Sequence, residues 1–575
     1  MTRVSSSSLF LPLITTTMIN FEIKGQPVGL MTISIALLSS VGGGIFGYDT
    51  GMISDMLLMR DFLERFSDIR EGCDSNGMNC SNYELSRVRE GLIVGLLSIG
   101  TLAGALFGAP IADYLGRRWA MTIESIVVSI GFLIQITTFT VWQQLAVGRL
   151  IAGLGVGALS AAVPMYMSEC VVASFRGAAV ACYQLAITLG VLLSYCFCIG
   201  TRQLDSDASW RIIIGLGFAF TFTLGIGIWF LPESPRWLMK NDRTDDARNA
   251  LERIRGIKTD YDRAVVEQDY REIETNINME RENDAPFWQS WIECFVGSPG
   301  SKKLAYRTFL GMMMQSLQQL TGANYFFYYG ATIFQSVGID DSYITQIILG
   351  VVNFVCVFAS LYILEHFGRR KPLYIGGLWQ IREISIKSLL ILSQIWLLVF
   401  ASVGVARPPA EYDGMGDLMI VSACLFIASY AATWGPGCWI ITGETFPTRT
   451  RARQASLATA SNWTWNFLIS FFSPFITGDI GFAYGYIFAG CNLFASVFVF
   501  FFLYETADLS LEAVNEMYST KGLTAWGSEK WIPPGMSRRG DALESSNAEK
   551  YTFDHSDGDR FSQSSGNNDD AGNKA

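Results

Sequence analysis

Histidine is nearly absent from this chain: there are two in 575 residues, His366 and His555. Ser-His triads and histidine-bound zinc therefore have little to draw on, and enzyme readings of that kind are weakened. Charge is scarce as well, at 16% of residues against 50% hydrophobic, which is too little for an ordinary soluble protein of this size. The 11 cysteines show no metal-ligand spacing. Cys170, Cys182, Cys196 and Cys424 fall inside apolar runs and read as small packing residues. No metal, cofactor or nucleic-acid partner is expected.

Membrane-length apolar sequence, by contrast, is abundant. Runs long enough to cross a hydrocarbon core of roughly 30 Å fall near 28–52, 91–112, 120–140, 143–165, 177–200, 211–231, 307–334, 342–364, 372–402, 417–443, 454–477 and 481–503. The expectation is an all-α membrane protein with twelve transmembrane helices. The run at 372–402 is the weakest, because Arg382, Glu383 and Lys387 would each cost about 2.5–3.5 kcal/mol at a helix centre.

The chain also repeats itself. Asp113-Tyr-Leu-Gly-Arg-Arg118 returns as Glu365-His-Phe-Gly-Arg-Arg370, Glu169 with Arg176 returns as Glu444 with Arg449, and Glu233 in Pro232-Glu-Ser-Pro-Arg236 is echoed weakly by Glu505. Two pseudo-symmetric six-helix halves follow from this order, an arrangement that suits a carrier rocking about a site near the bilayer midplane. The first echo comes after 252 residues and the later ones after 275 and 272. About twenty residues thus enter after Arg370, and Ile381–Lys387, with its three charges, reads as the inserted stretch.

Basic residues crowd one set of loops: Arg117, Arg118, Arg236, Lys302, Lys303, Arg369 to Lys371, and Arg449 to Arg453. The positive-inside rule turns those loops, and with an even span count both termini, toward the cytoplasm. A multi-pass plasma-membrane protein is expected, with a cytoplasmic segment 1–27, helical halves 28–232 and 304–504, a cytoplasmic linker 233–303 and a cytoplasmic tail 505–575. Arg243 to Arg255 has the spacing of a short, solvated amphipathic helix. The tail beyond about 519, rich in Ser, Asp, Asn and Gly, is expected to be disordered. The opposite loop at 53–88 holds Cys73, Cys80 and the sequon Asn79-Cys80-Ser81, which would suit a disulfide and a glycan.

Polar side chains inside apolar spans are costly and call for a reason. Gln315, Gln318 and Gln319 share one helical face, Asn324 follows, and Gly322 could loosen the helix between them. Carboxamides carry donor and acceptor together, which fits adjacent sugar hydroxyls without requiring charge. Further amides at Gln184, Asn353, Asn462 and Asn466, with Trp434, Trp439, Trp463 and Trp465, extend the reading to a neutral polyol. Taken singly, each amide could equally be interhelical glue, worth around 0.6 kcal/mol.

The motifs Gly47-Tyr-Asp-Thr-Gly51, Arg149-Leu-Ile-Ala-Gly-Leu-Gly155, Pro164-Met-Tyr-Met-Ser-Glu169, Pro232-Glu-Ser-Pro-Arg-Trp-Leu238, Gln318-Gln-Leu-Thr-Gly-Ala-Asn324 and Glu505-Thr506 before Leu509-Ser-Leu-Glu512 resemble the sugar porters of the major facilitator superfamily, in particular fungal hexose transporters. The match runs over roughly 28–518. The resemblance implies sugar contacts from Gln184, Gln318, Gln319, Asn324, Asn353, Trp439 and Asn462. It also implies cytoplasmic charge latches built on Asp113, Arg117, Arg118, Glu169, Arg176, Glu233, Arg236, Glu365, Arg369, Arg370, Glu444 and Arg449, lying at the interface between the halves and holding the outward-open state.

Asp49 with Arg149 would carry protons if transport were proton-coupled, although passive relatives keep the Asp too; facilitated diffusion is the favoured expectation. A carrier-like sugar sensor is the rival reading, set back by a tail without repeated motifs. Two departures from the family pattern stand out: Asp55 occupies a usual Gly position, and Ala431-Ala-Thr433 lacks a carboxylate found in mammalian glucose carriers.

Overall fold

A computed structural model describes residues 21–23, 26–28, 30–72, 80, 82–171, 176–256, scattered positions within 263–278, 287–297, 303–336, 341–375, 393–406, 414–447, 450–509, 511–534, 536 and 539. The Ile381–Lys387 stretch, Cys73, Asn79 and Arg449 lie outside these residues, as do the side chains of Arg176 and Glu365.

The first half consists of α1 (Leu30–Met56), α2 (Arg87–Leu115), α3 (Arg117–Ile136), α4 (Trp142–Cys170), α5 (Arg176–Thr201) and α6 (Ala208–Gly227). After a connector carrying α7 (Thr244–Arg255), the second half runs through α8 (Leu304–Leu320), α9 (Ala323–Ser336), α10 (Ser342–His366), α11 (Arg370–Ile375), α12 (Ser393–Ala406), α13 (Met415–Ala432), α14 (Trp434–Thr445), α15 (Arg451–Ile480) and α16 (Tyr484–Phe502). Among the described residues, 9 helical stretches are long and apolar enough to cross a membrane. One of them, Arg451–Phe502, has 52 residues and a 3-10 turn at Gly481–Ala483, so it crosses twice. With the interrupted span α8–α9 and the shorter apolar helix α12, the crossings among the described residues number twelve.

Two breaks have local causes. Gly322, at φ +90°, separates α8 from α9, and the ring of Phe488 lies so close that an added Cβ would meet it at 2.6 Å. Between α13 and α14 the chain bends at Thr433, where Pro436 cannot donate to the carbonyl of Ala432. Elsewhere small residues let backbones touch. At Gly100 and Gly104 of α2 an added Cβ would come within 2.1 Å of the Leu150 and Leu154 carbonyls on α4, the close approach that joins helices in lipid.

Between the halves, α2 packs along α15, α5 along α10, and α1 against α9. Across the seam, Ser54 Oγ accepts from the Ala331 amide at 3.3 Å, Tyr343 donates to the Asp55 carbonyl at 3.3 Å, and Arg202 pairs with Asp341 at 2.5 and 2.7 Å. Arg87 pairs with Asp479 at 2.7 Å. These bonds lie toward the face opposite the basic loops, and they join the halves there.

Two expectations need correction. Helix α7 is amphipathic as its spacing suggests, but it is packed rather than solvated. Ala247, Ala250 and Leu251 join Leu238, Met239, Val266 and Tyr270 in a small core, and Thr32 of α1 donates to the Ile254 carbonyl at 3.2 Å. The tail is also ordered over the described residues 520–534, 536 and 539, the rest of it lying outside them. Glu529 takes Arg370 at 3.0 Å and Lys371 at 3.4 Å, Arg539 donates to the Glu505 carbonyl at 2.8 Å, and Ser528 is fully buried. Ala525, buried with Tyr504, Val514, Met517 and Tyr518, and these charged anchors supply burial that the Ser- and Asp-rich average conceals.

Candidate functional site

Gln318 lies 14 residues into α8, so at 1.5 Å per residue it sits about 21 Å along that helix, well inside a core of roughly 30 Å. Its amide NH₂ donates to the carbonyls of Trp434 at 3.1 Å and Gly435 at 2.8 Å, in the first turn of α14. Its oxygen accepts from Asn462 of α15 at 2.8 Å. Asn462 also donates to the Gln315 oxygen at 2.8 Å and accepts from Gln319 at 2.8 Å. The Gln319 oxygen in turn accepts from Asn324, just past the Gly322 break, and from Asn466 at 3.3 Å. One connected amide network thus joins α8, α9 and α15, and it is uncharged.

Of the expected sugar contacts, Gln318, Gln319, Asn324 and Asn462 converge here. Gln184 approaches from α5 in the other half, with its NH₂ 3.8 Å from a Cβ added at Gly435. Trp439 is half-buried on α14, and Asn353 is buried on α10, which packs against α5. Trp465 turns away into an apolar groove of about 420 Å³ beside Met313, Leu317 and Phe494. Asn466 is a more central member than its place in the sequence suggests. It accepts from Tyr328 at 3.0 Å and, across the seam, from Ser98 of α2 at 2.6 Å. Its spacing of four from Asn462 was the available signal.

Asp49 and Arg149 meet as expected, both buried, through a single contact of 3.4 Å; Asp49 Oδ2 and Arg149 Nη2 have no hydrogen-bond partner among the described residues. Two further carboxyls within spans, Asp55 of α1 and Glu124 of α3, are buried with all four oxygens unpartnered among the described residues. The signal for both was an ionisable residue inside an apolar run. For Glu124 the structure offers no further account.

The charge clusters repeat as the sequence repeats. Glu233 accepts from the backbone N–H groups of Arg117 at 3.0 Å and Arg118 at 3.1 Å; Glu505 accepts from those of Arg369 and Arg370, both at 3.0 Å. Arg117 grips Glu169 at 2.9 and 2.8 Å, and Arg369 grips Glu444 at 3.3 and 3.0 Å. Ser234 donates to Glu169, and Thr506 to Glu444. Burial pushes the Glu233 carboxyl up, against the pull of the backbone donors and Arg117. Asp113 adds a 3.0 Å contact to Arg117, and Arg236 lies half-buried on the helix Pro235–Lys240.

In this structure, where the halves are joined on the opposite face, the described pairs close within their own half, and the Ala112 carbonyl at 2.8 Å from Arg117 shares in filling the guanidinium fork.

The family profile described as "Sugar (and other) transporter" matches residues 35–518. The chain belongs to the sugar (and other) transporter family. Among this transporter's relatives, the low-affinity glucose transporter HXT3 of Saccharomyces cerevisiae is 41% identical over 517 residues, covering 89% of this chain and 86% of the relative. A low-affinity glucose transporter of Kluyveromyces lactis is 42% identical over 512 residues, covering 88% and 85%. Among solved structures, the proton:xylose symporter XylE superposes with a TM-score of 0.67 at 23% identity, covering 85% of this chain and 99% of that one. The likeness to XylE shows the fold, that of the major facilitator superfamily, and the family match makes the chain a multi-pass membrane transporter.

Proposed function

We propose that this transporter moves glucose and similar hexoses across the plasma membrane by alternating access, down the sugar's own gradient. The observation that carries the reading is the uncharged amide network around Gln318, Gln319, Asn324 and Asn462 at the two helix breaks. Its paired donors and acceptors can exchange bonds among themselves for bonds to sugar hydroxyls, at little net electrostatic cost. Gln184, Asn353 and Trp439 complete the site from α5, α10 and α14. The relatives named as glucose transporters support the choice of cargo.

The basic loops face the cytoplasm in this reading, as do both termini, and the face where Arg202 meets Asp341 is external. The duplicated Glu233 and Glu505 clusters then brace the cytoplasmic ends of the two halves as rigid bodies that rock. Asp49 keeps its pairing with Arg149 in this reading, and no proton accompanies the sugar. The test is labelled-glucose uptake in cells stripped of other carriers. Saturable uptake indifferent to an uncoupler is expected. Collapse on uncoupling, together with loss in Asp49→Asn, would establish proton symport instead; binding without flux would make the chain a sensor.

A further inference from the structure

Asp55 sits at the external end of α1, fully buried, with neither carboxylate oxygen hydrogen-bonded among the described residues. The ionisable groups that face it are Tyr195 and Cys198 of α5, Arg202 just beyond α5, and Asp341 and Tyr343 at the start of α10. The Cys198 thiol is directed at the Met52 carbonyl, 4.0 Å away. Arg202 is the cation of the set, and it is committed: both terminal nitrogens bond Asp341, at 2.5 and 2.7 Å, while the guanidinium lies 4.9 Å over the Tyr343 ring. That pair is internally neutral, so nothing is left to balance a charge on Asp55. An uncompensated buried carboxylate is too costly to keep ionised.

Asp55 also lies on the seam. Its carbonyl accepts from Tyr343, and its neighbour Ser54 accepts from the Ala331 amide and from Gln346 at 3.4 Å, all groups of the second half. When the halves part on the external side, these contacts separate and water reaches the carboxyl.

We infer that Asp55 is a proton-binding site of the external gate, loaded from the outside medium as the gate closes and emptied to the same medium as it opens. The inference rests on the alternating-access reading. It differs from coupled transport because the proton returns to the side it came from. The sign follows from linkage: the closed form holds one more proton than the open form, so external acid favours closure, and the open-to-closed ratio rises up to about tenfold per pH unit while Asp55 titrates in one form and not the other. Asp341 does not supply this response, since its hydrogen bonds to Arg202 hold its carboxyl below the usual range.

The test is the distance between spin labels at exposed Asp205 and Ser336, on the external ends of the two halves, in the purified full chain in liposomes with internal pH fixed. From external pH 5 to 8 the separated population should grow several-fold in the chain with native Asp55 and in Asp49→Asn, and stay flat in Asp55→Asn. Asp55→Gly provides a second neutral variant should the amide fold poorly. An unchanged pH response in either Asp55 variant, or a flat one with Asp55 intact, overturns the inference. Because the measurement needs no sugar, it stands or falls separately from the proposed cargo.

Discussion

At Gln318, function and packing compete for the same atoms. Its NH₂ bonds two carbonyls in the first turn of α14, and its oxygen holds Asn462. On the proposed reading, Gln318→Ala removes a sugar contact worth about 1–3 kcal/mol, so hexose affinity measured by equilibrium binding should fall roughly 5- to 150-fold. The carboxamides on α8 were legible in the sequence because polar residues in an oily span stand out. The pivotal place of Asn466 was not, since its link to Ser98 joins residues 368 apart. Asp341 gives a second residue-scale expectation. A depressed carboxyl makes its bridge to Arg202 fully effective above the ordinary Asp range, and the bridge is lost only as pH falls through the lowered value. Arg202→Ala should accordingly widen the external separation about equally at pH 5 and pH 8, measured between the same spin labels.

Among the elements, the duplicated caps show what sequence echoes can and cannot reveal. Pro232-Glu-Ser-Pro and Tyr504-Glu-Thr share little beyond one carboxylate and one hydroxyl, yet these place the same bonds on the same backbone amides. Glu505→Ala should lower the melting temperature of the purified protein more than a surface Glu→Ala does, since the backbone N–H groups of Arg369, Arg370 and Ala507 lose their acceptor at about 1–3 kcal/mol each. The direction of the Arg117 and Arg369 forks could not be read from the motif. Spacing shows that charges recur at helix ends, but not which carboxylate reaches them first. The segment after α16 teaches a related lesson: composition averaged over the tail hid Ala525, Glu529 and Arg539. Truncation after Ser519 removes their contacts and should lower thermal stability, whereas truncation after Gly540 keeps them and should not.

For the whole molecule, the twelve crossings and the two halves were legible because lipid demands long apolar runs and self-satisfied backbones. The state of the carrier was not, because the seam is made of long-range pairs such as Arg202 with Asp341 and Arg87 with Asp479. Those pairs join the face opposite the basic loops, while the described Arg117 and Arg369 clusters stay within their halves. The most direct test is uptake of labelled glucose by liposomes carrying the purified chain, native and Gln318→Ala. The account predicts saturable uptake that survives an uncoupler, with apparent affinity falling at least about fivefold in the variant; liposomes that admit no hexose, or a variant whose affinity matches the native chain, would contradict it.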